Sequence, residues 1–319
     1  MNSGLITRQA NAKEAWLRRI AIRCVTAACG MAMLLSGQVA VPAGSSAAGT
    51  TTCRGTVFAA VAHEDDDLLF MSPDLVDDWA RGACLDVTYL TAGDAGRAGY
   101  RYARQREQGV GQAYALLAGV RNNWRRSDRV HASRTIRSFA LKVPPGRPGI
   151  RVTFLRLPDG LRSGSGTLAQ AGQSLLKLER GSIRRITAID HSASYDAKEL
   201  TATLSWLIAD SQAEIVRTLD YRNTDCGNDP KGDHSDHEAA ARFVKSAADS
   251  VVGAEPVLVG YRGYSISALP PNVALPTARR KEAVFRRYLS TTMCSRACAD
   301  FTGRLWASYQ SWLARQYRV

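Results

Sequence analysis

Residues 56–67 read Thr-Val-Phe-Ala-Ala-Val-Ala-His-Glu-Asp-Asp-Asp. Six apolar residues follow Thr56 without a break, too few for an ordinary helix, and they predict a strand buried on both faces over 56–62. The run stops at His63, where one histidine and four carboxylates, Glu64, Asp65, Asp66 and Asp67, crowd onto a single turn. Like charges at that range raise one another's pKa and cost free energy, so the turn asks for a cation. The plainer alternative is a solvated acidic loop that caps a helix.

Outward from this turn the pattern repeats. Residues 85–91 form a second run rich in β formers, and between the two lie Leu75, Val76 and Trp79 at helical spacing, which together make a β-α-β unit of about thirty residues. Residues 93–99 read as a loop and 102–117 as a helix. Residues 121–150 are basic and irregular, strand-like only over 135–143, and are expected as an insertion on the core. A strand over 150–157 ends at Pro158-Asp159-Gly160, and the Gly/Ser stretch 163–166 is expected as a mobile surface loop. A helix over 196–209, a strand over 214–219, an Asp- and Asn-rich loop to Asp233, a helix over 237–252 and a strand over 257–260 follow. This alternation implies an α/β fold, a mostly parallel sheet with helices on both faces. Ligands then belong outside the carboxyl ends of the strands.

Composition agrees with a globular domain: of 319 residues 45% are hydrophobic and 22% charged, which excludes disordered and fibrous classes. The first 48 residues read as a removed signal peptide, with Arg8, Lys13, Arg18, Arg19 and Arg23 ahead of a small apolar run over 24–35 and then a small-residue stretch suited to cleavage. That run is shorter than the ~20 residues that span a bilayer, which argues against a stable membrane span. Residues 49–319 fit one domain, and the location expected is secreted or extracytoplasmic. Five of the 42 Lys and Arg and one of the 29 Asp and Glu lie in the leader, so a net +13 becomes +9 without it. The basic residues are scattered and no nucleic-acid motif accompanies them, so the charge reads as solubility and attraction to anionic surfaces.

Five cysteines lie beyond the leader, and an oxidising compartment makes disulfides the default. Cys53 and Cys84 each precede a predicted strand and would bridge the start of the sheet if those strands are neighbours. Cys294 and Cys298 pair locally on this reading, leaving Cys226 over.

A second cluster, Asp233-His234-Ser235-Asp236-His237, opens a predicted helix after another strand. Three of the chain's five histidines thus sit in two acid-rich loops at strand ends; His131 and His191 read as ordinary loop residues. No Cys-x-x-Cys pair offers a thiolate site, whereas a His/Asp/His set suits zinc with a position left for water. Hydrolysis would then need a carboxylate to take a proton from water and a donor to protonate the departing amine. Asp65, beside His63 and Asp66, is the natural base. His234 is the natural acid and oxyanion partner, and Asp236 can orient a histidine.

At these residues the chain resembles the PIG-L/LmbE-like zinc-dependent N-acetylglucosaminyl deacetylases. The family motif Ala-His-Pro-Asp-Asp-Glu appears as Ala62-His63-Glu64-Asp65-Asp66-Asp67, and His-x-Asp-His as His234-Ser235-Asp236-His237. The resemblance implies a Rossmann-like three-layer α/β/α sandwich and one zinc ion per chain on His63, Asp66 and His237, with iron or cobalt as other metals such a set accepts. It also implies Asp65 as base, His234 as acid, and an N-acetylated amino sugar, free or within a glycan or glycoconjugate, as substrate. Arg104, in an Arg-x-x-Glu element with Glu107, and Asp159 are implied as sugar contacts; an ordinary helix ion pair and a turn are the plain readings of the two. Glu64 replaces the motif's proline and Asp67 its glutamate, and the tyrosine some relatives carry before the second motif is absent, since Gly232 and Asp233 stand there. The rival functions are a zinc amidase or esterase acting on a non-sugar substrate, and a carbohydrate-binding protein without catalysis. The second sits poorly with the presence of Asp65 and His234. The tail, with Trp306, Tyr309, Trp312 and Tyr317, reads as an amphipathic helix packed on the core.

Overall fold

The computed structural model describes residues 51–223, 232–253, 255–292 and 303–319. The leader and Cys226, Cys294 and Cys298 lie outside the described residues, while the chain from Ala47 to Val319 forms one compact unit. In chain order the elements that position the site are β1 (Thr56–Val61), a helical turn (Asp67–Met71), α1 (Asp74–Ala80), β2 (Cys84–Thr91) and α2 (Arg101–Ala118). The short strands β3 (Trp124–Arg126) and β4 (Arg129–His131) follow, then β5 (Arg134–Leu141), β6 (Ile150–Leu157) and α3 (Leu175–Glu179). A two-stranded ribbon, β7 (Ile186–Thr187) with β8 (Ser194–Tyr195), leads to α4 (Ala197–Ser211), β9 (Ile215–Leu219), α5 (Ser235–Asp249), β10 (Val257–Tyr261), α6 (Leu275–Leu289) and α7 (Gly303–Leu313).

The main sheet runs β10-β9-β1-β2-β6-β5-β3, with β4 also on β5. Five strands, β10, β9, β1, β2 and β6, are parallel, and β5 and β3 continue the sheet antiparallel. Within the 121–150 stretch, β3, β4 and β5 form an antiparallel edge of that sheet. Alternation along β1 divides the core: Val57, Ala59 and Val61 face α2, α6 and α7, while Phe58, Ala60 and Ala62 face α4 and α5. That is the three-layer α/β/α arrangement. Asp196 and Glu199 form a reciprocal capping box at the start of α4. The Gly/Ser loop is tied down, with Ser174 Oγ donating to the Gly164 carbonyl at 2.6 Å and Lys177 Nζ to the Ser165 carbonyl at 2.6 Å.

Cys53 and Cys84 are bonded, as their places before the paired strands β1 and β2 suggested. His131 stacks on Trp206, and Trp306 is buried against the core from α7. Among the described residues no helix is long and apolar enough to cross a membrane.

Candidate active site

Chain direction reverses its march across the sheet at β1: β2 and β6 lie to one side of it, β9 and β10 to the other. The loops leaving β1 and β9 diverge there and open a crevice at the carboxyl ends of the strands. Both histidine clusters reach it. His63 follows β1 directly, and His234 is the N-cap of α5, its ring Nδ1 accepting from the Asp236 amide at 3.2 Å. His237 lies one turn into α5, completely buried.

His63 Nδ1 and His237 Nε2 stand 3.1 Å apart. Asp66 completes the group, with Oδ1 3.0 Å from His237 Nε2 and Oδ2 3.5 Å from His63 Nδ1. The turn itself is closed by the His63 amide donating to Asp66 Oδ2 at 2.7 Å. Outer carboxylates set the rings: Asp233 accepts from His237 Nδ1 at 2.7 Å, and Asp236 Oδ2 lies 3.4 Å from His63 Nε2. Each ring therefore turns a lone pair toward the other and toward an anionic oxygen, an arrangement that a proton or a divalent cation must reconcile. Burial opposes charge on both histidines, yet Asp66 overcomes it, with Asp233 beside His237 and Asp236 beside His63, raising His237 to about 10 and His63 well above its ordinary value. Two imidazoles and a carboxylate, all buried and within one another's reach, form a donor set that fits zinc.

A cavity of about 520 Å³ opens beside this group, lined in part by His63, Asp65, Asp159 and His234. Asp65 is the one carboxylate of the acidic turn that faces it. His234 Nε2 lies 3.8 Å from Asp159 Oδ1, and Asp159 is held by the amides of Leu161 at 2.8 Å and Ala95 at 3.2 Å. Burial and the neighbouring His63 and His237 push His234 well below the usual histidine range.

The acids of the first motif do not all gather round one cation, as their crowding suggested. Asp66 turns to the histidines, Asp65, at the cavity, and Glu64 share Arg106, and Asp67 turns back into the core to accept from Tyr89 at 3.0 Å and from Tyr114. Burial pushes Asp67 up to about 7 against those two hydroxyls.

Arg104 is not brought to the cavity. It lies exposed on α2 and lines a separate depression with Glu107, Gln108 and Trp124. Arg106 takes the inward place instead, donating to Tyr288 at 2.8 Å, to the Gly93 carbonyl at 3.0 Å and to Asp65. Two residues on a helix differ by about 200° in direction, so only one of the pair can face inward. The buried set Ala103, Arg106, Val110, Ala113 and Tyr114 carries that phase, a signal the sequence already held. Sequence reading also missed Asp233 as the carboxylate on His237, although the i, i+4 spacing was available, and missed Tyr264, Tyr288 and Tyr309 on the cavity wall.

Residues 58–248 match the family model PIG-L, described as GlcNAc-PI de-N-acetylase. The chain belongs to the PIG-L family. No curated protein matches this PIG-L chain. Among solved structures, N,N'-diacetylchitobiose deacetylase from Pyrococcus horikoshii is 14% identical, with 81% of this chain and 75% of that one covered at a TM-score of 0.43. The zinc-inhibited form of teicoplanin deacetylase is 14% identical, covering 80% and 90% at 0.42. A 4-carboxy-2-hydroxymuconate hydratase from Pseudomonas putida KT2440 is 13% identical, covering 80% and 82%, also at 0.42.

Proposed function

We propose that this PIG-L chain is an exported, zinc-dependent deacetylase that hydrolyses the N-acetyl group of an N-acetylhexosamine, free or within a glycan or glycoconjugate. The observation that carries the reading is the convergence of His63, Asp66 and His237 beside a cavity that also presents Asp65 and His234. His63, Asp66 and His237 would hold the ion; zinc so bound supplies Lewis acidity to an amide carbonyl and to water.

The chain's own groups divide the rest. The Asp65 carboxylate takes a proton from the attacking water. His234 Nε2, facing the cavity beside Asp159, donates a hydrogen bond to the oxyanion, and the proton that Asp65 took from water is delivered through His234 to the nitrogen as the carbon–nitrogen bond breaks, releasing acetate and the free amine. Asp233 and Asp236 keep the two ring ligands oriented. Asp159, whose backbone contacts fix its carboxylate at the cavity wall, accepts hydrogen bonds from sugar hydroxyls; Arg104 has no part in this scheme. Export is supported by the leader-like composition of the first 48 residues and by the Cys53–Cys84 disulfide.

The test is acetate release by the purified protein from a panel of N-acetylglucosamine compounds, before and after chelation and again after zinc is restored. Release that chelator stops and zinc returns is expected. No release from a zinc-loaded protein across the panel would overturn the substrate class.

A further inference from the structure

Glu64 has no part in the scheme above, yet it sits on the same turn as Asp65 and is fully buried. Among the described residues neither of its side-chain oxygens has a hydrogen-bond partner, and its ion-pair neighbour is Arg106, whose Nε lies 3.1 Å from Oε2. Burying a carboxylate against a single, shared cation is costly. The pair fits only because residue 93 is glycine: a Cβ there would collide with Glu64 Oε2 and with the Arg106 guanidinium.

Arg106 divides its donors among Tyr288, the Gly93 carbonyl and Asp65, and among the described residues it is the one side chain that donates to the Asp65 carboxylate. A guanidinium is a rigid planar fork, so holding its Nε edge and one terminal nitrogen fixes the direction of the other. Tyr288 and Glu64 hold the Nε edge, Gly93 holds Nη1, and Nη2 is left aimed at Asp65. A proline at residue 64, as in the family motif, would remove the second carboxylate and leave Arg106 to Asp65 alone.

We propose that Glu64 is a positioning residue: it anchors the Arg106 guanidinium, and the anchored guanidinium holds the Asp65 carboxylate in place at the cavity. The inference rests on the reading of Asp65 as the base. Glu64 acts through Arg106 and touches no substrate, so its loss should slow turnover without weakening substrate binding.

Glu64→Gln keeps the shape and removes the charge. Its kcat is expected to fall about tenfold, since a small misplacement of a reacting group is that costly, with KM within about twofold of the parent and zinc content unchanged. Arg106→Lys keeps the charge and removes the fork; it is expected to be slower still, and the double variant no slower than Arg106→Lys alone, because both changes break one linkage. A parental kcat in Glu64→Gln, losses that multiply in the double variant, or a rise in KM at constant kcat would each overturn the proposal. If Glu64→Gln does not fold, as melting and zinc content would reveal, Tyr288→Phe removes one anchor of the same guanidinium; its kcat is expected to fall about threefold, and an unchanged kcat would overturn the proposal. Should the parent protein release no acetate at all, the functional reading fails and the arrangement is judged by the crystal structure of Glu64→Gln. An Asp65 carboxylate turned away from Arg106 would support it, and one that has not moved would sink it.

Discussion

His63 and His237 can serve one ion because the far nitrogen of each faces its own carboxylate, Asp236 and Asp233 respectively. Asp65 stands outside that set, so removing it should leave the ion in place: Asp65→Ala is expected to lose at least about a hundredfold in kcat, the scale of a missing general base, while metal analysis still finds one zinc per chain. Loss of zinc from that variant would make Asp65 a ligand instead. Arg104 and Asp159 separate in the same way. Arg104→Ala, on an exposed helix face away from the cavity, should leave kcat/KM within about twofold, whereas Asp159→Asn should raise KM for sugar substrates about tenfold through a lost charge-assisted hydrogen bond. Steady-state kinetics on a single acetylated sugar distinguishes these outcomes. The ligands were legible in the sequence because histidines are scarce and clustered with acids at strand ends. Asp233 and Arg106 carried a helix-spacing signal that went unused, whereas Glu64 was not legible, since its work is to orient another side chain through contacts between distant segments.

At the level of elements, α6 passed unnoticed in the sequence, where its apolar stripe of Val284, Phe285, Tyr288 and Leu289 is submerged among basic residues. One of those, Lys281, is buried and donates to the carbonyls of Trp312 at 3.2 Å and Arg315 at 2.8 Å, tying α6 to the end of α7. Burial pushes its ammonium down to about 7 from an ordinary value of 10.5. Between those two values the unfolded chain binds a proton that the folded chain does not, so stability rises with pH across that window; below about 7 both states carry the charge and the full cost of burying it is present. The span corresponds to on the order of 5 kcal/mol. Urea unfolding at pH 6.5 and 9.5 should show the parent gaining stability at the higher pH and Lys281→Met gaining far less. Equal gains in the two proteins would remove Lys281 as the source. The strand readings fared better than α6 did, because unbroken apolar runs such as 57–62 need no helix phase to be recognised. The antiparallel edge built by β3, β4 and β5 was legible only in part, since its half-exposed strands mix arginine with apolar residues and lack that signature.

Across the whole molecule the site joins segments 174 residues apart, one following β1 and one opening α5 after β9. Adjacent strands bring them to one crevice, where the facing nitrogens of His63 and His237 and the Asp66 carboxylate are reconciled by a proton or, in its place, by a metal ion. An ion that binds the folded chain and not the unfolded one must therefore stabilise the whole unit, by RT ln(1 + [L]/Kd), or about 2.7 kcal/mol at a hundredfold excess over Kd. For a domain of this size that is a rise in melting temperature of about 5 °C or more. Thermal unfolding of chelator-treated protein should climb with added zinc by that amount, and the climb should vanish in His237→Ala, whatever substrate the enzyme takes. A melting temperature indifferent to zinc in the parent protein would mean that the two segments are held together by packing alone and that these three donors bind no structural or catalytic ion with useful affinity.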